Sequence, residues 1–207
     1  MQLHGRSSSH FTRIPRMFAA ELELALDFHP IRDVMSVDPE HYGGHPALKL
    51  PTLATDSGTW YGALPICREL ARRSELSLDI LWPEDLDRAI ASNAQELVSV
   101  AMATEVALIM GGSGGVPADN AHAAKQRASL IGAMAWLEQN WERALDTLPA
   151  ERDLSVLEVS LFCLVEHLEF RKVLPLDPYP ALLAFAGRYG RRSSARATPY
   201  VFDFPQA

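Results

Sequence analysis

Three consecutive serines, Ser7, Ser8 and Ser9, stand directly before a segment with the apolar periodicity of a helix. The start of a helix presents unpaired amide groups and the positive end of the helix dipole, and both favour an anion. A serine hydroxyl at that place can donate a hydrogen bond to a thiolate. Lowering the pKa of a thiol from about 8.5 to about 6.5 requires roughly 2.7 kcal/mol, which a charge-assisted hydrogen bond and a helix terminus can supply together. The serine turn, residues 7–9, therefore predicts either a thiol-activating site or a simple helix N-cap.

A proline at the start of a predicted strand is the second chemical feature. Leu50-Pro51-Thr52-Leu53 reads as a strand that opens on a residue without an amide hydrogen, and such a residue cannot donate to a neighbouring strand. If the bond before Pro51 is cis, the backbone of Leu50 turns outward and can pair with an extended ligand. The alternative is an ordinary edge-strand proline, and the sequence leaves both interpretations open.

Two histidines, His41 and His45, have the four-residue spacing that binds zinc on a helix. Gly43-Gly44 lies between them and interrupts a helix, and no third ligand is in view. The sequence therefore predicts no metal site here.

Apolar spacing, with glycine and proline between the apolar runs, divides the first part of the chain into short elements. The predicted order is strand, helix, strand, followed by strand, strand, helix, which is a βαβ-ββα arrangement. Pro15 leaves open whether the first helix starts at the serine turn or nearer Arg13. The predicted strands cover residues 1–5, 26–34, 50–55 and 59–61, and the helix that closes this part covers 63–73.

The remaining chain has the pattern of an all-helical domain, with predicted helices over residues 83–110, 118–148, 156–170 and 177–189. The third of these helices opens on a capping box, Ser155 with Glu158, and is apolar on nearly all sides. We expect it at the centre of a second core. The final segment carries Arg191, Arg192 and Arg196, and we expect it to be solvated. The fold class is α/β plus all-α, with domains at 1–74 and 83–207 and a linker at 75–82.

The composition is that of an ordinary globular protein: 207 residues, 48% hydrophobic and 22% charged. A formal charge of −7 argues against nucleic acid as a partner. No uncharged apolar stretch reaches about eighteen residues, and the N-terminal segment lacks the apolar part of a secretory signal, so we expect neither a membrane span nor export. Cys67 and Cys163 stand in apolar helical contexts, which predicts two buried thiols without a disulfide in a reducing cytoplasm.

Taken in order, these segments resemble the glutathione S-transferase superfamily over nearly the whole chain. Leu3-His4-Gly5 with the serine turn looks like that family's first strand and its catalytic serine or cysteine turn, and Ser9 matches the activating position best. Leu48-Lys49-Leu50-Pro51-Thr52-Leu53 is similar to the family's segment with the cis-proline. The other matching segments are Ile66-Cys67-Arg68-Glu69-Leu70, the Ser155 box, Pro178-Tyr179-Pro180-Ala181-Leu182 and residues 192–199.

The resemblance implies a thioredoxin-like N-terminal domain that binds glutathione as co-substrate. It also implies a helical-bundle domain that shapes a pocket for a small hydrophobic electrophile. In the implied roles, Ser9 holds and polarises the glutathione thiol, and the backbone of Leu50, before Pro51, pairs with the cysteinyl part. Lys49 can reach a carboxylate of the tripeptide. A cytoplasmic homodimer with a part in detoxification is implied as well.

One place departs from the family's pattern. At the start of its third helix the family usually has an acidic residue and a hydroxyl residue, which bind the γ-glutamyl group, and this chain has Gly62-Ala63. Neither side chain can bond to an ammonium or a carboxylate, although the backbone amides of Gly62 and Ala63 can still hold the carboxylate. Each missing contact costs roughly 1–3 kcal/mol, so we expect glutathione binding about ten- to a hundredfold weaker.

Two functions are consistent with these observations. The first is an enzyme that activates glutathione at Ser9 and adds it to an electrophile. The second is a binding or regulatory protein on the same fold that has lost firm glutathione binding, as Gly62-Ala63 suggests. Disulfide reductase chemistry is disfavoured, because serine stands where a nucleophilic cysteine would be required.

Overall fold

The computed structural model describes residues 1–117 and 119–205. Its contacts divide the chain into unit 1, which comprises Met1–Leu78 and Gly190–Ala207, and unit 2, which comprises Asp79–Tyr189. The expected fold class, an α/β part and an all-helical part, is confirmed. The structure differs from the expected boundaries in that the segment from Gly190 groups with the N-terminal unit. The predicted helix start at Ala118 and the end of the predicted tail, Gln206 and Ala207, lie outside the described residues.

Unit 1 is built on a four-stranded sheet with the strand order β2-β1-β3-β4. β1 pairs with β2 in parallel and with β3 antiparallel, and β3 pairs antiparallel with β4. This is the βαβ-ββα order that the sequence predicts. The elements are β1 (Gln2–Gly5), α1 (His10–Glu21), β2 (Asp27–Pro30), a 3-10 turn (Pro39–Tyr42), β3 (Thr52–Thr55), β4 (Gly58–Tyr61) and α2 (Ala63–Arg73).

The first helix begins directly after the serine turn. Ser9 is the N-cap of α1, and its hydroxyl oxygen accepts a hydrogen bond from the Thr12 amide at 3.3 Å. Pro15 lies inside the helix and is buried, so of the two starts left open by the sequence, the structure has the earlier one. The proline removes one backbone hydrogen bond, and the packing of the buried face of α1 against α2 outweighs that loss.

A buried carboxylate ties the turn between β3 and β4 to α2. Glu69 is 5% exposed, and its carboxylate accepts hydrogen bonds from Arg72 and Arg73. Arg73 also pairs with Asp56 in that turn. Burial alone would raise the pKa of Glu69, but the hydrogen bonds and charges of the two arginines outweigh it, and the pKa is lowered. The carboxylate is therefore charged at neutral pH and holds the turn and α2 together.

In the described part of unit 2, the regular elements are helices and one short pair of parallel strands, β5 (Ile80–Leu81) with β6 (Leu154–Ser155). α5 is buried on nearly all sides, so the prediction that it forms the centre of the second core is confirmed. The elements are β5 (Ile80–Leu81), a 3-10 turn (Pro83–Asp85), α3 (Ala89–Ser113), α4 (Ala121–Leu145), β6 (Leu154–Ser155), α5 (Val156–Arg171) and α6 (Pro180–Tyr189).

The helix predicted over residues 83–110 is two elements in the structure. The Trp82 amide donates to the Asp85 carboxylate at 3.0 Å and closes the 3-10 turn, and α3 begins only at Ala89. At the start of α5, the Ser155 hydroxyl accepts from the Glu158 amide at 3.4 Å, as a capping box requires. The Glu158 carboxylate instead pairs with Arg152 at 2.6 Å, so one half of the predicted box is formed.

Among the described residues, α3 is the one helix that is long and apolar enough to cross a membrane by length and composition. A single such helix is weak evidence for a membrane span, because core helices of soluble proteins meet the same criterion. Both cysteines, Cys67 and Cys163, are buried and form no disulfide, as predicted.

The chain returns to unit 1 in a short last helix, α7 (Ser193–Ala197), which packs against α1. Arg192, just before α7, donates to the Glu21 carboxylate at 2.8 and 3.0 Å. The expectation of a solvated tail is therefore wrong for Arg192, because the half-buried Glu21 at the end of α1 supplies a charge partner 171 residues away. Arg191 and Arg196 are exposed, as expected.

Candidate functional site

The strand register brings the predicted site segments to one end of the sheet in unit 1. His4 of β1 lies opposite Thr52 of β3, and Thr52 lies opposite Tyr61 of β4. β1 and β4 therefore both end where β3 begins. The segments that meet at this end are the serine turn after β1, Leu50-Pro51 before β3 and Gly62-Ala63 after β4.

The serine turn is held by its own backbone and by α1. The Ser9 amide donates to the Arg6 carbonyl at 3.1 Å, and the Arg6 amide donates to the Thr12 hydroxyl at 3.3 Å. The Ser9 hydroxyl uses its oxygen to cap α1, which leaves its hydrogen for donation to another group. The two predicted roles of Ser9, N-cap and thiol activation, are therefore compatible.

Ser7 has two charged partners that the sequence did not reveal. Its hydroxyl accepts from Arg16 Nη1 at 3.1 Å, and its amide donates to Asp203 Oδ2 at 2.8 Å. Arg16 is charged and stands among apolar residues of α1. Its position in the sequence therefore indicates that it has a polar partner, without indicating which one. Asp203 lies 196 residues away from Ser7, and nothing in the local sequence points to the contact.

The bond between Leu50 and Pro51 is cis, the first of the two alternatives that the sequence left open. The Pro51 carbonyl accepts from the Gly62 amide at 3.0 Å, which joins two of the predicted site segments. Leu50 is half-buried and Lys49 is exposed. Within the described part of the chain, no backbone hydrogen bond engages Leu50, so its N–H and C=O are available to an extended ligand.

Gly62 is the N-cap of α2 and has no side chain to cap it. Its φ is +82°, a left-handed backbone that L side chains rarely adopt. A non-glycine residue would be strained in this backbone conformation. The amides at the start of α2, from Ala63 onward, are offered to a ligand by the backbone alone.

Two aromatic side chains flank this end of the sheet: His45, which the sequence singled out only for its spacing from His41, and Tyr61, which the sequence did not single out. The rings of His45 and Tyr61 lie 4.6 Å apart, and the Tyr61 hydroxyl donates to the Gly44 carbonyl at 3.2 Å. The pKa of His45 is lowered, mainly by burial. A backbone hydrogen bond opposes this shift, and the charge of Lys49 adds to it. His41 bonds instead to the Ser36 hydroxyl at 2.7 Å.

Neither a protein-family model nor a curated protein matches the sequence. Solved structures do match it. A glutathione S-transferase from Methylobacillus flagellatus KT with glutathione bound has 22% identity and a TM-score of 0.74, over 97% of this chain and 99% of that one. A glutathione transferase family member from Pseudomonas fluorescens Pf-5 with bound glutathione has 20% identity and a TM-score of 0.76, over 97% and 98%.

A third structure is a glutathione S-transferase from Methylobacterium radiotolerans JCM 2831 in complex with glutathione sulfonate. It has 18% identity and a TM-score of 0.72, and the match covers 100% of this chain and 99% of that one. At identities this low, similarity of structure establishes the fold. The chain has the fold of the glutathione S-transferase superfamily.

Proposed function

We propose that this protein is a glutathione transferase, which binds glutathione in unit 1 and adds its thiolate to a small hydrophobic electrophile. The observation that carries this proposal is the meeting of the serine turn and the cis Leu50-Pro51 bond at one end of the sheet. Similar structures with bound glutathione add support. The electrophile would be held by side chains of the helical part.

Ser9 is the proposed catalytic residue. Its hydroxyl oxygen is already engaged by the Thr12 amide, so its hydrogen can point toward a sulfur near the start of α1. The hydrogen bond stabilises the thiolate more than the thiol, because a charged acceptor strengthens it. Together with the positive end of α1, this lowers the pKa of the glutathione thiol and raises the thiolate fraction at neutral pH.

The backbone around Pro51 and the start of α2 are the proposed binding residues for the rest of the tripeptide. The N–H and C=O of Leu50 would pair with the cysteinyl part, and the exposed Lys49 would reach a carboxylate. The sequence suggested the amides of both Gly62 and Ala63 for the γ-glutamyl carboxylate, but the Gly62 amide is already bonded to the Pro51 carbonyl. The Ala63 amide at the start of α2 would therefore hold that carboxylate without help from a side chain. We expect glutathione binding about ten- to a hundredfold weaker than with an acidic and a hydroxyl side chain there.

Calorimetry with glutathione at millimolar concentration tests the proposal against its alternative. Saturable heat supports the transferase. Absence of heat would favour the alternative, a binding or regulatory protein on the same fold. That alternative is supported by Gly62-Ala63, which stands where an acidic and a hydroxyl side chain usually bind the γ-glutamyl group.

Replacing Ser9 with alanine should reduce conjugation at neutral pH by about tenfold or more, because a hydrogen bond made to the thiolate and transition state is lost. The assay uses glutathione with chlorodinitrobenzene. In parallel, the ultraviolet absorbance of the bound thiolate is titrated against pH, and the pKa of the thiol should rise by about one or more.

The same variant removes the N-cap of α1, which costs about 1 kcal/mol of stability. Ser9→Asp is the matched variant, because its carboxylate accepts from the Thr12 amide and has no hydrogen to donate. It should retain the fold and lose the activity. Ser7→Ala and Ser8→Ala identify the activating hydroxyl, and a larger loss in either of them than in Ser9→Ala would reject Ser9.

A homodimer is part of the proposal. α3 and α4 are the two longest helices, and the apolar Ile131 on α4 is 43% exposed. We expect sedimentation to show a species of twice the 22.9 kDa chain mass. A single 22.9 kDa species across micromolar concentrations would contradict the dimer. A cytoplasmic location and a part in detoxification remain inferences from the same fold.

A further inference from the structure

The described part of the segment after α6 runs along α1 and reaches the serine turn at Asp203. Near the end of α1, Arg192 and Ser194 both donate to the Glu21 carboxylate. Burial alone would raise the pKa of Glu21, but these hydrogen bonds and the Arg192 charge outweigh it and lower the pKa. The carboxylate is therefore charged at neutral pH, and the segment begins with a firm ionic attachment.

Three arginines hold the middle and the end of this segment. Arg13 of α1 donates to the Ala195 carbonyl at 3.2 Å, and its guanidinium lies 4.3 Å from the centre of the Tyr200 ring. At the end, the Phe204 ring has the guanidinium groups of Arg6 and Arg32 at 5.9 and 5.3 Å. Several cation–π contacts in a row hold this segment against unit 1.

Between Tyr200 and Phe204, Asp203 reaches the serine turn itself. The turn closes by the bond from the Ser9 amide to the Arg6 carbonyl, which makes Ser7 the second residue of a β-turn. The amide at that position is not used inside a β-turn. Asp203 Oδ2 accepts it at 2.8 Å, and Ser7 is only 6% exposed.

Arg16 completes the arrangement from the other side of Ser7. Its Nη1 donates to the Ser7 hydroxyl at 3.1 Å, and its guanidinium lies 4.7 Å from the centre of the Phe28 ring. Burial lowers the pKa of Arg16, the Asp203 charge opposes this, and the Arg13 charge adds to the lowering. Ser7 is therefore held by a carboxylate at its amide and a guanidinium at its hydroxyl, and the charges of these two groups offset each other.

We propose that Asp203 is a positioning residue for thiol activation: it fixes the Ser7 amide and, with Arg16, holds the serine turn in the orientation from which Ser9 donates to the glutathione thiolate. This inference rests on the proposed transferase function. Asp203 does not touch the reacting sulfur in this proposal, and it acts through the turn. A carboxylate alone near a thiolate would repel it, and the Arg16 charge offsets that repulsion.

The test compares Asp203→Ala with Asp203→Asn, since asparagine retains an oxygen that can accept from the Ser7 amide. In Asp203→Ala, kcat with glutathione and chlorodinitrobenzene should fall about tenfold, with less than a threefold change in the KM for glutathione. The pKa of the bound thiol, from thiolate absorbance, should rise by about one. The two kcat values are compared at a pH below both thiol pKa values, where this shift lowers the thiolate fraction about tenfold. Asp203→Asn should restore kcat to within about twofold.

Val201→Ala is the matched control, because Val201 is 49% exposed on the same segment. Amide hydrogen exchange without glutathione adds a readout that does not depend on catalysis. Exchange of the amides at residues 7–9 should rise at least tenfold in Asp203→Ala and remain at the wild-type rate in Val201→Ala.

The possible results separate the inference from the proposed function. If the wild-type protein neither binds glutathione nor ionises its thiol, the proposed function is overturned, and the inference with it. If the wild-type protein is active while Asp203→Ala keeps the wild-type kcat and thiol pKa, the inference alone is overturned. An equal loss of kcat in Asp203→Asn would also overturn the inference, since the charge of Asp203 would then explain the effect. An equal loss in Glu21→Ala would overturn it as well, since the attachment of the whole segment to α1 would then be the cause.

Discussion

Replacing Glu105 with alanine should lower the free energy of unfolding of unit 2 by about 3–5 kcal/mol. Glu105 on α3 and His167 on α5 have side chains that are 0% and 3% exposed, and Glu105 Oε1 lies 2.8 Å from His167 Nδ1. The variant removes the carboxylate, leaves the buried imidazole without it and opens a cavity between the helices. Urea denaturation followed by tryptophan fluorescence measures the loss, because Trp141 is fully buried in the same unit.

Three variants show whether the pair is the cause. Glu105→Gln keeps the volume and a carbonyl acceptor, so its loss should be smaller, about 1–2 kcal/mol. Glu105→Met with His167→Leu replaces both polar groups by apolar ones and should be less destabilising than the alanine variant. Glu96 is exposed on the same helix, and Glu96→Ala should change stability by no more than about 0.5 kcal/mol. A loss below about 1 kcal/mol in Glu105→Ala would show that the pair contributes little.

The elements of unit 1 could be predicted from the sequence because their signals are local. The apolar spacing of α2 predicts residues 63–73, and the structure has Ala63–Arg73. Ser9 could be predicted as the residue that precedes α1, because N-cap preference depends on a side chain and an amide three residues apart. The strand pairing then follows from the order of the elements, and it brings the predicted site segments to one end of the sheet.

Two features of the structure could not be predicted from the sequence, one because of a local competition between backbone conformations and one because its partners lie far apart in the chain. The start of α3 at Ala89, after a separate 3-10 turn, depends on a bond between Trp82 and Asp85 that competes with a continuous helix. Asp203 contacts Ser7 across 196 residues, and no periodicity or motif reports such a contact. Charged side chains on an apolar helix face, such as Arg16, indicate that a partner exists, and only the folded chain identifies it.

Replacing Gly5 with alanine should lower the free energy of unfolding of unit 1 by about 1–3 kcal/mol, because the position has no room for a β-carbon. That atom would lie 2.4 Å from Thr12 Cγ2 and 2.6 Å from Thr12 Oγ1. Thr12 is fully buried and β-branched, so it cannot turn aside at low cost. Urea denaturation followed by the fluorescence of Trp60, the one tryptophan in the sequence of unit 1, measures the loss.

Gly132→Ala is the matched control, because a β-carbon at Gly132 meets nothing within 4 Å in α4. That variant should gain about 0.5–1 kcal/mol from helix propensity. In a Thr12→Ala background the cost of Gly5→Ala should shrink, since both clashing atoms are absent. Thr12 also donates its amide to the Ser9 hydroxyl, so Gly5→Ala should raise the pKa of the bound glutathione thiol as well. Lower stability with an unchanged thiol pKa would mean that the contact between β1 and α1 does not set the position of Ser9.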